Sequence, residues 1–306
     1  MRTDDFYTFI FNPAADKGRA ATKMKWLNAS IAGLSNAALK TTMYAGHAGE
    51  IARSAASVSS TLIACGGDGT VNEVVNAVAD ADSSIRIGIL PIGSANDFLK
   101  TLMPLRGKYL PDIHGFFHSL TRKIDLGKVD FGDGSRRYFI NSIGIGFTGR
   151  IARAVRDTTW IRGELSYVHA LFSVLLGYTP LKMHIKLTVP DGIVELHEPV
   201  FAFSVSNGKV EGGKFRIAPS ADLSDGLLDV CILKAMPKWI FLSYVFKYLK
   251  GTQIHDPRVV YCKASMVDLT IPEPDVMHMD GEVFDGIRGG VSISVAPDAV
   301  DMLYDF

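Results

Sequence analysis

The chain has 306 residues, 47% of them apolar, with 32 basic and 32 acidic side chains. Such a length suggests about two domains, and a formal charge of zero encodes no global attraction to nucleic acid or to an anionic membrane. No uninterrupted apolar stretch reaches the roughly 18 residues needed to cross a bilayer, and the acidic start Met1-Arg2-Thr3-Asp4-Asp5 lacks the pattern of a signal peptide.

In chain order, apolar runs at 6–11, 61–65 and 85–90 alternate with helix-like segments at 18–33, 47–58, 70–80 and 112–121. This is the pattern of parallel βαβ units and predicts a doubly wound α/β sheet. Each strand-like run ends in small polar residues: Asn12-Pro13 to Gly18 after the first, Gly66-Gly67-Asp68-Gly69-Thr70 after the second, and Gly93-Ser94-Ala95-Asn96-Asp97-Phe98 after the third. The pattern changes after Ile124-Asp125. Short alternating or β-branched runs at 137–145, 184–189, 193–205, 227–233, 265–271 and 291–296 follow, broken by Asp133-Gly134, Asp191-Gly192 and Asp225-Gly226. They predict an antiparallel β-sandwich or barrel-like second domain. Two helical segments interrupt it, 160–177 and 237–250. The first has clean helical spacing in Leu165, Val168, Leu171, Phe172, Leu175 and Leu176 and reads as core; the second is apolar on most sides, suiting burial against a sheet or, with its terminal lysines, a bilayer interface. Cys65, Cys231 and Cys262 lie in or beside apolar runs without paired or metal-knuckle spacing, as reduced thiols of a cytoplasmic protein would. The eight histidines form no pair with metal-ligand spacing.

The loop 66–70 carries the strongest chemical signal. A helix N-terminus presents unpaired N–H groups and a partial positive charge, and adjacent glycines admit a phosphate close to the backbone. Asp68 would repel bare phosphate unless a divalent cation or an ordered water lies between them, which points to a nucleotide bound with metal. The loop is neither the G-x-x-x-x-G-K-[ST] phosphate loop nor the dinucleotide fingerprint, whose third glycine is here Asn72. Three glycines in four residues also suit a ligand-free tight turn. Parallel strands ending in such loops would gather their polar groups in one crevice.

The chain resembles the bacterial lipid kinases of the diacylglycerol kinase catalytic family, related to sphingosine kinases and distantly to NAD kinases. The resemblance rests on Asn12-Pro13 with Gly18, Thr42 before His47-Ala48, Gly66-Gly67-Asp68-Gly69-Thr70, Gly93 to Phe98, Gly212-Gly213 before Ile217-Ala218-Pro219, Asp225-Gly226-Leu227-Leu228-Asp229-Val230, and Asp280-Gly281-Glu282. One departure stands out: Asp16 occupies a position that is usually glycine. The resemblance implies an NAD kinase/diacylglycerol kinase-like fold, with an α/β domain over 1–124 rejoined by 296–306 and a β-rich domain over 125–295.

By resemblance, ATP would be cradled by Asn12, Thr42, Gly66, Gly67, Asp68, Gly69, Thr70, Asn72, Ser94 and Asn96, with Asp68 and Asp97 organising catalytic Mg²⁺. Glu282 would be the base, Asp280 the reserve candidate. A structural Mg²⁺ would be held by the Asp225 side chain and the main-chain oxygens of Asp222 and Leu227, since hard cations favour oxygen ligands. The expected reaction is ATP- and Mg²⁺-dependent phosphorylation of a lipid hydroxyl, with diacylglycerol, phosphatidylglycerol and sphingoid bases as the family's menu. NAD kinase and a non-catalytic lipid or nucleotide sensor are the alternatives. Expected partners are a lipid met peripherally at the inner membrane face and a second copy in a homodimer, not nucleic acid.

Overall fold

The computed structural model describes residues 5–80, 85–103, 113–158 and 164–305, the side chains of 164–167 excepted. The chain forms two compact units, Met1–Leu126 with Pro297–Phe306, and Gly127–Ala296.

The first unit is a parallel sheet with helices on its faces. Its elements are β1 (Tyr7–Phe11), α1 (Met24–Ile31), β2 (Ala37–Thr41), α2 (His47–Ala55), β3 (Thr61–Gly66), α3 (Asp68–Val78), β4 (Arg86–Pro91), α4 (Asp97–Leu102) and the first half of β5 (Leu120–Phe131). β1 and β3 are buried along their whole length, as strands covered on both faces must be, and so read as solid apolar runs. The strand order is β2-β1-β3-β4. Phe11 aligns with both Thr41 and Cys65, and Cys65 with Leu90, so the carboxyl ends of all four strands meet at one edge. Phe9, Phe11, Leu27, Ile63 and Phe116 build a core on one side.

Three expectations for this unit need correction. The segment 18–33 is not one helix: a 3₁₀ stretch, Ala15–Lys23, precedes α1, and Asp16, Lys17 and Gly18 are left-handed at φ 52°, 57° and 85°. The Asn12 side chain, which accepts the Ala14 amide at 2.9 Å, shapes this turn. The helix expected at 112–121 is a single 3₁₀ turn, Ile113–Phe117, and β5 begins at Leu120; residue 112 lies outside the described residues. β2 was not foreseen, because a half-exposed edge strand of sequence Ala-Ala-Leu-Lys-Thr has a single β-branched residue and only three consecutive apolar ones.

The second unit is an antiparallel β-sandwich with helices. It contains β6 (Arg136–Phe139), β7 (Ser142–Gly146), α5 (Phe147–Asp157), α6 (Glu164–Gly177), β8 (His184–Val189), β9 (Gly192–Leu196), β10 (Val200–Ser206), β11 (Leu228–Lys234), α7 (Lys238–Lys250), β12 (Val259–Ala264), β13 (Met266–Met279) and most of β14 (Glu282–Tyr304). Strands run β12-β11-β10-β7-β13-β14. β13 serves two neighbours: Met266–Thr270 pairs with β8 and Met277–Met279 with β7. The change comes at Ile271-Pro272-Glu273-Pro274-Asp275, where the register with β14 shifts; two prolines cannot donate to a ladder, so the strand bends there. The last residues of β14 lie parallel to β4, Asp301 opposite Arg86.

Alternation along β7, β10, β11 and β13 gives that sheet two unlike faces. Ile143, Ile145, Phe203, Val205, Val230, Ile232, Met277 and Met279 fill the core between the sandwich layers. The opposite face is packed by α5 and by a cluster in which Phe147, Tyr178, Phe201 and Phe241 touch ring to ring. α5 was not foreseen: three arginines among its eleven residues hid its apolar side. The core reading of α6 is corrected as well. Ala170 and Leu175 are buried, but Val168 and Phe172 are half-exposed and Leu176 is 80% exposed; its expected start at 160–163 and the Leu165 side chain lie outside the described residues. α7 likewise buries only Phe241, Tyr244 and Tyr248, leaving Trp239 and Phe246 exposed.

Candidate active site

In the first unit the loops at the carboxyl edge enclose a cavity of about 360 Å³. Asn12, Thr42, Gly67, Asp68, Gly69, Thr70 and Ser94 line it together with Asp16, the departure in the first loop, and they are joined by Met43, Tyr44 and Glu73, which sequence reasoning did not assign to it. The glycines are there for close approach. A Cβ on Gly66 would sit 2.2 Å from Thr70 Oγ1, and one on Gly93 would sit 2.3 Å from the Gly67 Cα. The 66–70 and 92–96 turns therefore pack backbone on backbone, with the amides of Ile92 and Gly93 both donating to the Gly66 carbonyl at 3.0 Å. The Asp68 and Gly69 amides at the start of α3 have no intrahelical acceptor, whereas the Thr70 amide turns back to the Gly67 carbonyl at 3.0 Å. The pair opens at this cavity, the position an anion favours.

The side chains around the cavity tie its loops together. Asn12 Nδ2 donates to Thr70 Oγ1 at 3.0 Å, and Glu73 accepts the amides of Gly46 and Ala48 at the start of α2 at 2.9 and 3.0 Å. Ser94 donates to Asp16 at 2.6 Å and Arg19 donates to the same carboxylate at 2.8 Å. The Ser94 hydrogen bond, followed by that of Arg19, holds the Asp16 carboxyl below its usual range. The Tyr44 ring stacks on His47 at 4.5 Å, nearly parallel, and Met43 beside it is exposed; together they offer a flat apolar shelf at the cavity rim.

Asp68 accepts the Phe98 amide at 3.1 Å through one carboxylate oxygen. No other hydrogen bond to this carboxylate is made among the described residues, so an oxygen remains for a hard cation at the cavity wall, and the donor type fits Mg²⁺. Asp97 is buried, paired with Lys100 at 2.8 Å, and is not part of the cavity lining. Gly66, Asn72 and Asn96 also stand behind the lining. Asn72 accepts from Asn76 on the next turn of α3, and Asn96, left-handed at φ 49°, caps α4 while its side chain donates to the Gly93 carbonyl.

The remaining candidates lie in the second unit. Glu282 is exposed and meets Arg137 at 3.0 Å. Asp280 is committed to structure: its carboxylate accepts the amides of Ile140, Asn141 and Ser142 at 2.7–2.9 Å. At the loop 222–227, the two Asp225 oxygens accept the Leu227 amide at 3.1 Å and the Lys263 ammonium at 2.6 Å; Lys263 also reaches Asp229 at 3.1 Å. The Asp222 carboxylate accepts from Ser224. An ammonium thus already occupies the place of a cation, and this donor set does not fit Mg²⁺ unless Lys263 withdraws. The histidine reading needs a correction too: the β8–β9 hairpin stacks His184 on His197 at 4.2 Å beside Glu195. One ligand atom from each of the three lies within 4.8 Å of the others, a grouping that the spacing of the histidines in the sequence did not announce.

The second unit holds its own cavity, of about 340 Å³, which no sequence motif announced. Its walls are apolar, from α5, α6, α7 and Phe215, while Thr148, Ser204 and Glu211 bring polar atoms to one side.

A phosphate-type crevice at the carboxyl edge of a doubly wound sheet, followed in the chain by a β-sandwich, defines a two-domain phosphotransferase architecture. The diacylglycerol kinase catalytic domain profile matches residues 7–129, and the YegS C-terminal NAD kinase beta sandwich-like domain profile matches residues 141–304. The chain belongs to the bacterial lipid kinase family that these two domains define. It is 32% identical over 225 residues to a diacylglycerol kinase of Bacillus subtilis (strain 168), covering 72% of this chain and 70% of the relative. It is 29% identical to a YegS-like probable lipid kinase of Pseudomonas syringae pv. syringae (strain B728a), covering 74% and 70%. The crystal structure of a diacylglycerol kinase from Bacillus anthracis str. Sterne superposes with a TM-score of 0.73 at 21% identity, covering 100% of this chain and 98% of that one, a likeness of fold. Among the described residues no helix is long and apolar enough to cross a membrane.

Proposed function

We propose that this lipid kinase transfers the γ-phosphoryl group of ATP to a lipid hydroxyl with the help of Mg²⁺. The observation that carries the reading is the first cavity, where a helix N-terminus, two glycine turns and an Asp68 oxygen without a partner among the described residues converge. The α3 amides and the Thr70 hydroxyl hold the phosphates, and the Met43–Tyr44 shelf takes the base. Mg²⁺ at Asp68 would neutralise charge that develops on the transferred group. Asp97 acts from behind, with Lys100, by fixing the start of α4. Glu282 rather than Asp280 takes the proton of the acceptor hydroxyl: a carboxylate held by three amides is a poor base, whereas Glu282 has only an exposed arginine to release.

The cavity of the second unit would house the acyl chain, its volume and apolar walls being of the kind that bind small apolar ligands. Beside it, Phe172, Leu176, Trp239 and Phe246 are exposed on α6 and α7, which supports peripheral contact with a bilayer. These apolar features favour a lipid acceptor over the polar dinucleotide of an NAD kinase.

Transfer of labelled γ-phosphate to mixed micelles of each candidate lipid, with Mg²⁺, tests the reading. Asp68→Asn and Glu282→Ala should each lower transfer by roughly a hundredfold or more while both proteins stay folded. Full activity in either variant would remove that residue from the mechanism.

A further inference from the structure

The helix-side face of the second unit's sheet carries buried polar groups in register. His278, Gly144, Ser204, Cys231 and Tyr261 align across five strands, and Ser142, Ser206, Asp229 and Lys263 form the next row. Ser142, Ser204, Ser206 and His278 are each at most 3% exposed. Buried polar atoms are normally all paired, yet the hydroxyls of Ser206 and Thr148 have no partner among the described residues. One acidic group reaches into this patch from the cavity wall: Glu211 lies 3.1 Å from His278 Nε2 and accepts from Ser142 Oγ at 3.0 Å. Gly144 makes the arrangement sterically feasible. A Cβ there would meet Thr148 Oγ1 at 2.3 Å and His278 Nε2 at 2.4 Å.

A buried His278 paired with a Glu211 that lines an apolar cavity needs an explanation that packing does not supply, because hydrophobic residues of like volume would serve stability as well. The Glu211 carboxylate, with His278 Nε2 at ion-pair distance but without an aligned hydrogen bond, presents an acceptor to whatever enters. We propose that Glu211 selects the acceptor lipid by taking a hydrogen bond from an uncharged or cationic polar head, a hydroxyl or an ammonium, and turns anionic phospholipid heads away. His278 is the positioning residue that holds the carboxylate. Lys214 is the other charged residue of the lining and is exposed; an anionic head that entered would have Lys214 outside and Glu211 within.

The inference rests on the second cavity as the acyl-chain site, and the test separates the two. Binding of one fluorescent acyl chain is compared on two heads, a neutral monoacylglycerol and an anionic phosphatidylglycerol, which requires no turnover. Wild type should prefer the neutral lipid, and Glu211→Gln, which keeps a partner for Ser142, should shrink that preference by roughly tenfold, the scale of one charge-assisted hydrogen bond. His278→Asn should shrink it in the same sense and raise the KM for lipid with little change in kcat. Leu171→Trp, filling the cavity, should abolish binding of both. If Leu171→Trp binds normally, the cavity is not the lipid site, and both readings fall. If it blocks binding while Glu211→Gln leaves the preference unchanged, or if the preference follows Lys214→Ala instead, the selectivity inference alone is wrong. Should Glu211→Gln unfold, Ser142→Ala, which frees the carboxylate from one side, must shift the preference for the proposal to stand.

Discussion

At the scale of single residues, the chemistry turns on charges whose partners are fixed. Burial alone would push His278 down, but the Glu211 carboxylate, with help from Asp280, outweighs it and raises the histidine above its ordinary value of 6.5. Burial would raise Glu211, but the charge of His278, together with its close polar contact and the Ser142 hydrogen bond, outweighs that, lowering the carboxyl below 4.5. The raised histidine contributes stability that is complete below pH 6.5 and is lost as pH rises through its folded value; the lowered carboxylate contributes above pH 4.5 and loses it as pH falls. The pair therefore stabilises most between those two values. Urea unfolding of wild type and His278→Gln should differ most near pH 5–6 and converge at alkaline pH; a difference that grows with pH would mean the histidine is neutral in the fold. Lys263 sets a second case. Lys263→Met would leave Asp229, buried and already raised by burial, next to Asp225 without a cation. A loss of about 3 kcal/mol is expected, with Mg²⁺ raising the melting temperature of the variant but not of wild type. An equal rise in wild type would show that a cation displaces the lysine.

At the scale of elements, legibility followed environment. β1, β3 and β4 are buried on both faces, so their sequences are unbroken apolar runs, and the loops that follow them carry the Gly-rich turn chemistry that located the first cavity. The polar face of β7 and β10 misleads for the same physical reason: Ser142, Gly144, Ser204 and Ser206 alternate with apolar residues as on a solvent-facing strand, but α5 and α7 cover them. Neither the second cavity nor the Glu211–His278 pair could be read from spacing, because the partners are 67 residues apart and meet through strand register. Asp16 stood out in the sequence, and the structure explains how the loop tolerates it, through Ser94 and Arg19. On the proposed reading, the clamp occupies the Ser94 hydroxyl that would meet a phosphate. Asp16→Gly should therefore lower the KM for ATP by roughly fivefold, the worth of one exposed charge contact of about 1 kcal/mol; an unchanged or higher KM would mean the clamp shapes the site rather than obstructs it.

At the scale of the whole molecule, two cavities with unlike walls lie in two compact units, one built from backbone amides and carboxylates, the other from aromatic and aliphatic side chains. A ligand that binds only the folded state stabilises it by about 2.7 kcal/mol at a hundred times its dissociation constant, and local opening near the ligand is suppressed first. Hydrogen exchange should therefore show separate footprints: ATP with Mg²⁺ protecting 12–19, 42–48, 66–73 and 92–98, and a neutral lipid protecting 147–151, 211–217 and 241–249. Because the formal net charge is zero, capture of the protein by vesicles should depend on the exposed Trp239 and Phe246 and only weakly on salt. Trp239→Ser with Phe246→Ser should weaken capture while leaving the ATP footprint intact. Loss of the ATP footprint in that variant would mean that α7 contributes to the first cavity, and a lipid footprint confined to the first unit would move the acceptor site there.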